Sequence, residues 1–523
     1  MKFMQIISVL ACFISLATPS FAQQGTIDST YSADGWHSFL QGNATRMLND
    51  VVIQPDTKAV VVGTFRNSAN QNFPFLGRLT SNGALDSTFS GDGLQIDSNA
   101  VVEVEVNAVA RQSGGKFVVG GDGGDNSPLY NCPSVFTLLR YLPNGNRDST
   151  FGINGMVQTY HANGVGHLKD LIVLSDNKII AVGGFGATEN NLSFMVVKYL
   201  PDGSLDSTFG INGIQILIIG SQESDMALSV MDYSYGVTLI SGYTTSGGIR
   251  NGIIVRLLAN GSFDTSFGSG DGSFVFSYSG WNIELRSVGV GYNQTPFCVG
   301  TTDGAFSEEV FLHLNSDGTV NPFFACNPVI LFRMINNPGG RSYVRKHIMQ
   351  PNLKFVAAGF YVDSFGVRGV VQRFNEYAQY EPLFNGVGYN TLSVSGEEVR
   401  FLNMAGQPDG KILVAGYLQD SLGRQQYLVA RYHDNFIATA VPEDPISSIL
   451  ELYPNPADDF VNVRFPSSFG KLAVYNLAGQ ELLSHQAEST ETTMQVSAFP
   501  RGIYWVLWTG EDGQTIGKKL SVR

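Results

Sequence analysis

Charge is scarce in this sequence. Acidic and basic side chains make up 15% of its 523 residues, against about 25% in an ordinary soluble protein. The balance is acidic, 45 Asp and Glu to 32 Lys and Arg for a net charge of −13. A surface of that sign repels phosphate backbones, which argues against a nucleic acid partner. Cysteine is scarcer still: the four residues include no Cys-x-x-Cys pair, which leaves a thiolate zinc site without support. The seven histidines are scattered, and neither His-Glu-x-x-His, Gly-x-Ser-x-Gly nor Gly-x-x-x-x-Gly-Lys-Ser/Thr occurs. The common motif-borne chemistries are therefore not written in the chain. What is plentiful is apolar and turn-forming: 43% hydrophobic residues, 35 Phe, 21 Tyr and 59 Gly. That composition excludes wholesale disorder and suits a β-rich protein with many tight turns.

Long apolar runs are confined to the N-terminus. Lys2 precedes an apolar stretch, Phe3 to Ala17, followed by Ser20-Phe21-Ala22, a small-x-small pattern before Gln23. This reads as a signal peptide, residues 1–22, cleaved between Ala22 and Gln23. A membrane helix needs about 20 apolar residues, and Thr18-Pro19-Ser20 interrupts this one. The mature chain is expected to be exported, with no transmembrane segment. Once Cys12 is removed an odd number of thiols is left, and Cys298 falls in a repeat column otherwise held by Val61, Val119, Ala181, Ile240, Ala357 and Val414. A buried apolar thiol is the natural reading there.

Internal repetition is the strongest signal. Asp86-Ser87-Thr88-Phe89, Asp148-Ser149-Thr150-Phe151, Asp206-Ser207-Thr208-Phe209 and Asp264-Thr265-Ser266-Phe267 are one motif, with an N-terminal copy at Asp28-Ser29-Thr30-Tyr31 and worn copies at Phe324 and Phe384. Between motifs the order is constant: an apolar run, a turn, a run such as Lys58 to Gly63 or Lys178 to Gly183, a variable loop, a third run such as Phe136 to Tyr141, and an Asn-Gly or Asp-Gly turn. Such turns supply the positive φ of a hairpin reversal. Four short β-branched and aromatic runs per unit mean four strands.

Many runs are apolar on consecutive residues, as in Ile179-Ile180-Ala181-Val182, so both sheet faces are covered. A four-stranded sheet cannot cover its own faces, and each unit must stack on two neighbours. Radial stacking predicts an all-β fold: a seven-bladed β-propeller of four-stranded blades over residues 25–434, then a linker, 435–448, and a small Ig-like β-sandwich over 449–523. A linear β-solenoid is the rival arrangement. The chain opens with a lone fourth strand and the repeats end on a unit lacking one, so residues 35–40 are expected to pair with 427–432.

Asp86, Asp148, Asp206 and Asp264 invite a calcium reading, but the ligand spacing of calcium loops is not matched. The motif is better read as structural: Asp and Ser/Thr bond nearby amides, while Phe89, Phe151, Phe209 and Phe267 plug gaps between blades. No metal site, cofactor or catalytic residue is assigned. One channel column reads Asp50, Ala108, Asp170, Ser229, Ser287, Lys346 and Asn403; Asp50 and Asp170 could form an acid–base pair, though solvated polar groups are the plainer reading. Units carrying Gly-x-Leu-Asp-x-x-Phe-Gly resemble the delta-60 repeat family, which implies a β-propeller in bacterial surface and secreted proteins and no particular activity. Variable loops, among them 121–134, 184–192 and 417–425, share one face of such a ring, where binding usually resides. A cell-surface binding or structural module for glycan or protein partners is expected; the alternative is a secreted hydrolase or lyase with a site in the channel.

The last 75 or so residues carry their own pattern: Tyr453-Pro454-Asn455-Pro456, an Ala478-Gly479 turn, Gly502-Ile503-Tyr504 and Lys518-Lys519. In that order they resemble the type A C-terminal sorting domain of type IX secretion in the Bacteroidota. The resemblance implies that this secretion machinery is a partner and that the protein ends secreted or attached to the outer-membrane surface, the domain being removed by cleavage in the linker.

Overall fold

The computed structural model of the chain describes residues 24–39, 46–98, 103–124, 134–161, 164–219, 223–234, 236–278, 280–291, 294–303, 308–321, 329–332, 340–350, 354–375, 377–434, 450–453, 455, 457–464, 470–475, 481–487, 491–497, 499–510 and 515–522. The expected signal peptide with its Ala22–Gln23 junction, the linker 435–448, Phe324, Pro454, Pro456 and Gly479 lie outside the described residues.

Within 24–434 the described strands form seven four-stranded antiparallel sheets. Each begins with a strand a: Arg46–Ile53, Glu103–Gln112, Val165–Val173, Met226–Ser234, Ile283–Val290, Arg341–Met349 and Glu397–Gly406. These define blades 1 to 7, and strands b, c and d follow in sequence within blades 1 to 6. Blade 7 takes its strand d from the opposite end of the chain. Trp36–Phe39 pairs with Gln425–Tyr432, placing Trp36 opposite Ala430 and Phe39 opposite Tyr427. That is the closure anticipated from the strand count.

The core lies between the blades, which explains the unbroken apolar runs. In strand b of blade 1, Val60 and Val62 pack with Val106 and Leu139 of blade 2, while Ala59 and Val61 pack with Ala415 and Val429 of blade 7. Equivalent shared cores join each remaining pair of successive blades. Cys298 is a free, fully buried thiol in the core between blades 4 and 5.

A second regularity sits beside the channel. Every strand a carries a β-bulge at the equivalent position, as between Leu48 and Asp50, Leu168 and Asp170, or Val344 and Lys346, and that of blade 4 has a second irregularity between Asp232 and Ser234. The glycine late in each strand b lies against it. At Gly63, Gly121, Gly183, Gly242, Gly300, Gly359 and Gly416 a Cβ would run into a strand a carbonyl oxygen. Bulges bend a strand and re-aim its side chains, and here the bulged residue and its successor line the channel in most blades.

The Asn-Gly and Asp-Gly turns between strands c and d supply the positive φ expected of them. Only the glycine is left-handed, at φ 90° in Gly145, 91° in Gly203 and 87° in Gly261. The preceding residue instead uses its side chain: Asn144 Oδ1 accepts the Asn146 amide at 3.1 Å, and Asp202 Oδ1 accepts that of Ser204 at 3.0 Å. This is a right-handed turn closed by one left-handed glycine, not a two-residue mirror-image turn.

The C-terminal residues form two sheets. One holds Glu451–Tyr453, Phe460–Arg464 and Glu491–Gln495; the other runs Glu481–Ala487, Gly470–Tyr475, Gly502–Gly510, Thr515–Val522. Their inner faces share one core in which Val461, Val463, Leu472, Tyr504, Val506, Trp508 and Leu520 meet. Trp505, one residue out of phase, is exposed, as period-two alternation requires.

Candidate functional site

Three places in the described structure concentrate polar chemistry. The first is the repeat motif. In blade 2, Asp148 Oδ1 accepts the Thr150 amide at 3.1 Å and its hydroxyl at 2.6 Å. Its Oδ2 accepts Arg140 Nε at 2.8 Å and lies 2.8 Å from Lys116 Nζ. The Arg140 guanidinium lies over the Phe151 ring at 4.6 Å and donates to the Pro201 carbonyl of blade 3 at 2.5 Å. Phe151 is fully buried, and a Cβ on Gly203 of the next blade would come within 2.8 Å of it. The motif is thus a latch onto the neighbouring blade.

Asp86 builds the same latch with Lys58, Arg78 and Phe89, reaching the Pro143 carbonyl; Asp28 builds it with Lys411, Arg431 and Tyr31 across the two ends of the ring. Asp264 keeps Arg256 over Phe267, whereas in Asp206 the latch runs through Lys178, with Lys198 over Phe209. Burial works to raise these carboxyls, but the Ser or Thr hydroxyls and the cations overcome it. Asp28 is held at about 2, and Asp86, Asp148, Asp206 and Asp264 also lie below the ordinary carboxylate range. In blade 5, where Asn321 replaces the Asp, the cation is also gone: burial lowers His313 to about 4, so it stays neutral. In blade 6 Glu381 keeps the Lys354 contact at 2.6 Å. The basic column Arg78, Arg140, Lys198, Arg256, Arg373 and Arg431 was not singled out from sequence. Its signal was a cation directly before the apolar residue ending strand c, as in Arg140-Tyr141 and Lys198-Tyr199.

The second place is the channel, a cavity of about 220 Å³ that includes Asp50, Asp170, Ser229, Lys346 and Asn403 among its walls. Asp50 and Asp170 are not free to act as a pair. Asp50 Oδ1 accepts the Val51 amide at 2.8 Å and Oδ2 accepts Val109 of the next blade at 2.7 Å; Asp170 accepts Leu171 at 2.8 Å and Val230 at 2.9 Å. The bulged asparagines complete the stitch: Asn49 donates to the Val106 carbonyl at 2.6 Å and Asn107 to that of Leu168 at 2.8 Å. Burial pushes Asp50 up to about 7, with Lys346 opposing and Asp170 adding to the rise.

The third place is the loop-rich face. Between blades 6 and 7 it carries an open groove of about 640 Å³. Two matching turns edge the groove. Phe365, 84% exposed, donates its amide to Asp363, and Leu422, 75% exposed, donates to Asp420. Farther round, Asp122 meets His167 Nδ1 at 2.9 Å and Lys169 at 3.2 Å; His167 Nε2 meets Glu189 at 2.7 Å. The hydrogen bond to Asp122 raises the His167 pKa.

In the C-terminal sandwich, the Tyr504 hydroxyl donates to the Pro500 carbonyl at 2.5 Å from inside the core, and Asn455 Oδ1 accepts the Ser521 amide at 2.9 Å. Tyr453 bonds Glu491 at the surface. Gly502 begins a strand that places Val506 opposite Lys518 and Trp505 opposite Lys519.

Residues 451–523 match the family described as the secretion system C-terminal sorting domain. Five segments, 54–89, 112–151, 174–209, 236–267 and 407–435, match the family described as a domain of unknown function (DUF5122) β-propeller. Beta-agarase A of Zobellia galactanivorans is 33% identical over 76 residues, and the chain spans only 14% of that relative's length. Among solved structures, a protein of unknown function from Dyadobacter fermentans is 8% identical with a TM-score of 0.43, covering 76% of this chain and 99% of that one. A PL25 ulvan lyase bound to a GlcA–Rha3S unit is 10% identical, also at TM-score 0.43, covering 75% and 94%. No helix among the described residues is long and apolar enough to cross a membrane. The sorting domain implies secretion and surface attachment by the type IX route. The chain is a β-propeller protein with a type IX secretion sorting tail.

Proposed function

We propose that the propeller is a surface-displayed binding module that presents its loop-rich face to a glycan or protein partner. The observation that carries this reading is the groove between blades 6 and 7, lined by Phe365 and, across it, by Asp420, Ser421 and Gly423 of a matching turn whose exposed tip is Leu422. Large apolar side chains held out on short hydrogen-bonded turns cost solvation and contribute nothing to the core, whereas apolar and aromatic anchors dominate recognition surfaces. The rigid, latched ring holds them in place. Hydrolase or lyase chemistry in the channel fits less well, because all four carboxylate oxygens of Asp50 and Asp170 accept backbone amides.

The test is capture of surface glycans and proteins by the full secreted chain. Phe365→Ala with Leu422→Ala should abolish capture while leaving the unfolding temperature unchanged; capture that survives the double substitution defeats the reading. Display depends on the tail. A chain ending at residue 448 should accumulate in the periplasm, and its appearance on the cell surface would remove the tail from the export argument.

A further inference from the structure

The channel inverts the charge of the molecule. The chain as a whole carries −13, yet the cavity wall presents Lys169, Arg286, Arg345 and Lys346 against two carboxylates, Asp50 and Asp170. The carboxylates are spent on backbone amides of adjacent blades, and two of the cations are answered elsewhere: Lys169 by Asp122 and Arg286 by Glu284. The other two are not. Among the described residues neither Arg345 nor Lys346 makes an ion pair or a side-chain hydrogen bond, and Arg345 Nε is buried with no partner. Lys346 meets Asp50 only through space, and burial holds that carboxyl up near 7, leaving the ammonium poorly compensated at neutral pH.

Arg345 is also held in position. Its guanidinium lies 5.2 Å over the Phe360 ring, whose neighbourhood it shares with Arg400 at 4.7 Å, and Phe360 stacks on Tyr343 at 4.8 Å. Burial together with the nearby Arg286 lowers the Arg345 pKa to about 10, with Glu284 opposing the fall only through space. An anion would relieve both effects. A planar fork already immobilised on an aromatic ring loses little entropy on taking a carboxylate or sulfate.

We propose that Arg345 and Lys346 form an anion-binding site in the propeller channel that takes the carboxylate or sulfate of a charged sugar. The site deepens the binding reading above and rests on it. At about 220 Å³ the cavity falls below the roughly 300 Å³ at which pockets begin to bury drug-sized ligands, so it accepts one charged unit at a chain end.

The experiment is calorimetric titration of the full secreted chain with oligogalacturonate, a κ-carrageenan tetrasaccharide whose only anions are sulfates, neutral maltotetraose and inorganic sulfate. The charged oligosaccharides should bind, and should bind at least about tenfold more weakly when salt rises from about 0.05 to about 0.5 M. Arg345→Met and Lys346→Met should each weaken them at least about tenfold with unchanged circular dichroism and unfolding temperature. Equal binding of maltotetraose, or full binding by both variants, overturns the site while the wider binding reading stands on Phe365 and Leu422. Inorganic sulfate binding as tightly as the oligosaccharides overturns the sugar assignment. Which charged oligosaccharide binds more tightly separates the uronate from the sulfated source.

Discussion

At the scale of single residues the molecule places its charges by pairing, and pH is the lever that reads them. Asp148 meets two cations and two Thr150 groups while almost fully buried. Asp148→Ala would leave Arg140 buried without its carboxylate, and breaking such a pair costs about 3–5 kcal/mol; chemical denaturation of both chains measures it. Depressed carboxyls contribute stability above their unfolded value and lose it as pH falls through the folded one. For Asp28 that window runs from 3.8 down to about 2, so acid should unfold the ring late. Glu309 works the other way. It is fully buried, accepts Gln372 Nε2 at 2.6 and 2.7 Å, bonds Ser342, and is raised by burial from 4.5 to about 7. A raised carboxyl favours the folded state below its unfolded value and forfeits that stability as pH climbs to the folded one. The shift corresponds to on the order of 3 kcal/mol. Glu309→Gln should reduce the wild-type decline in stability between about pH 5 and pH 7, leaving the share that the raised Asp50 contributes, and an unchanged slope in pH-resolved denaturation would locate the decline elsewhere.

At the scale of strands and turns, what was legible in the sequence was whatever repeats with the blade. The apolar runs, the Asp-Ser-Thr-Phe motif and the four-strand order could be read because each blade must bury the same surfaces. The latch's cations were missed because a lone Arg beside Tyr141 or Leu79 looks like any strand end; only the fold brings Arg140 to Asp148, eight residues away and across a turn. The channel column was visible, but the bulge that gives Asp50 and Asp170 their second amide was not, since it depends on strand b approaching too closely for a side chain. The recurrent glycine is that approach written in sequence. Gly183→Ala should cost about 1–3 kcal/mol, as overpacking does, and should shift the amide resonances of His167 to Asp170. A Gly502→Ala change is the control, since its would-be Cβ meets nothing nearer than the Pro500 carbonyl oxygen at 3.9 Å and its backbone is not left-handed.

At the scale of the whole molecule, the ring closes through residues from opposite ends of the chain. Blade 7 is completed by Trp36–Phe39, its latch by Asp28 with Arg431 and Lys411, and blade 6 docks on Gly25, where a Cβ would meet Phe384 at 2.6 Å. None of these contacts is local, so each charges the full loop-closure entropy of the intervening chain. They form usefully only once the other blades have stacked, and closure is expected to be the last cooperative step. A chain beginning at residue 46 keeps every other strand but exposes the edge of Gln425–Tyr432 and the shared core around Tyr427 and Val429. Unpaired edges of this kind associate. The truncated chain should unfold at lower temperature, lose protection first in blade 7 by hydrogen exchange, and self-associate as concentration rises. Adding a peptide of residues 24–39 in trans should restore the blade 7 amides before any others. Uniform loss of protection across all seven sheets would mean instead that the ring has no seam and that its blades stand or fall together.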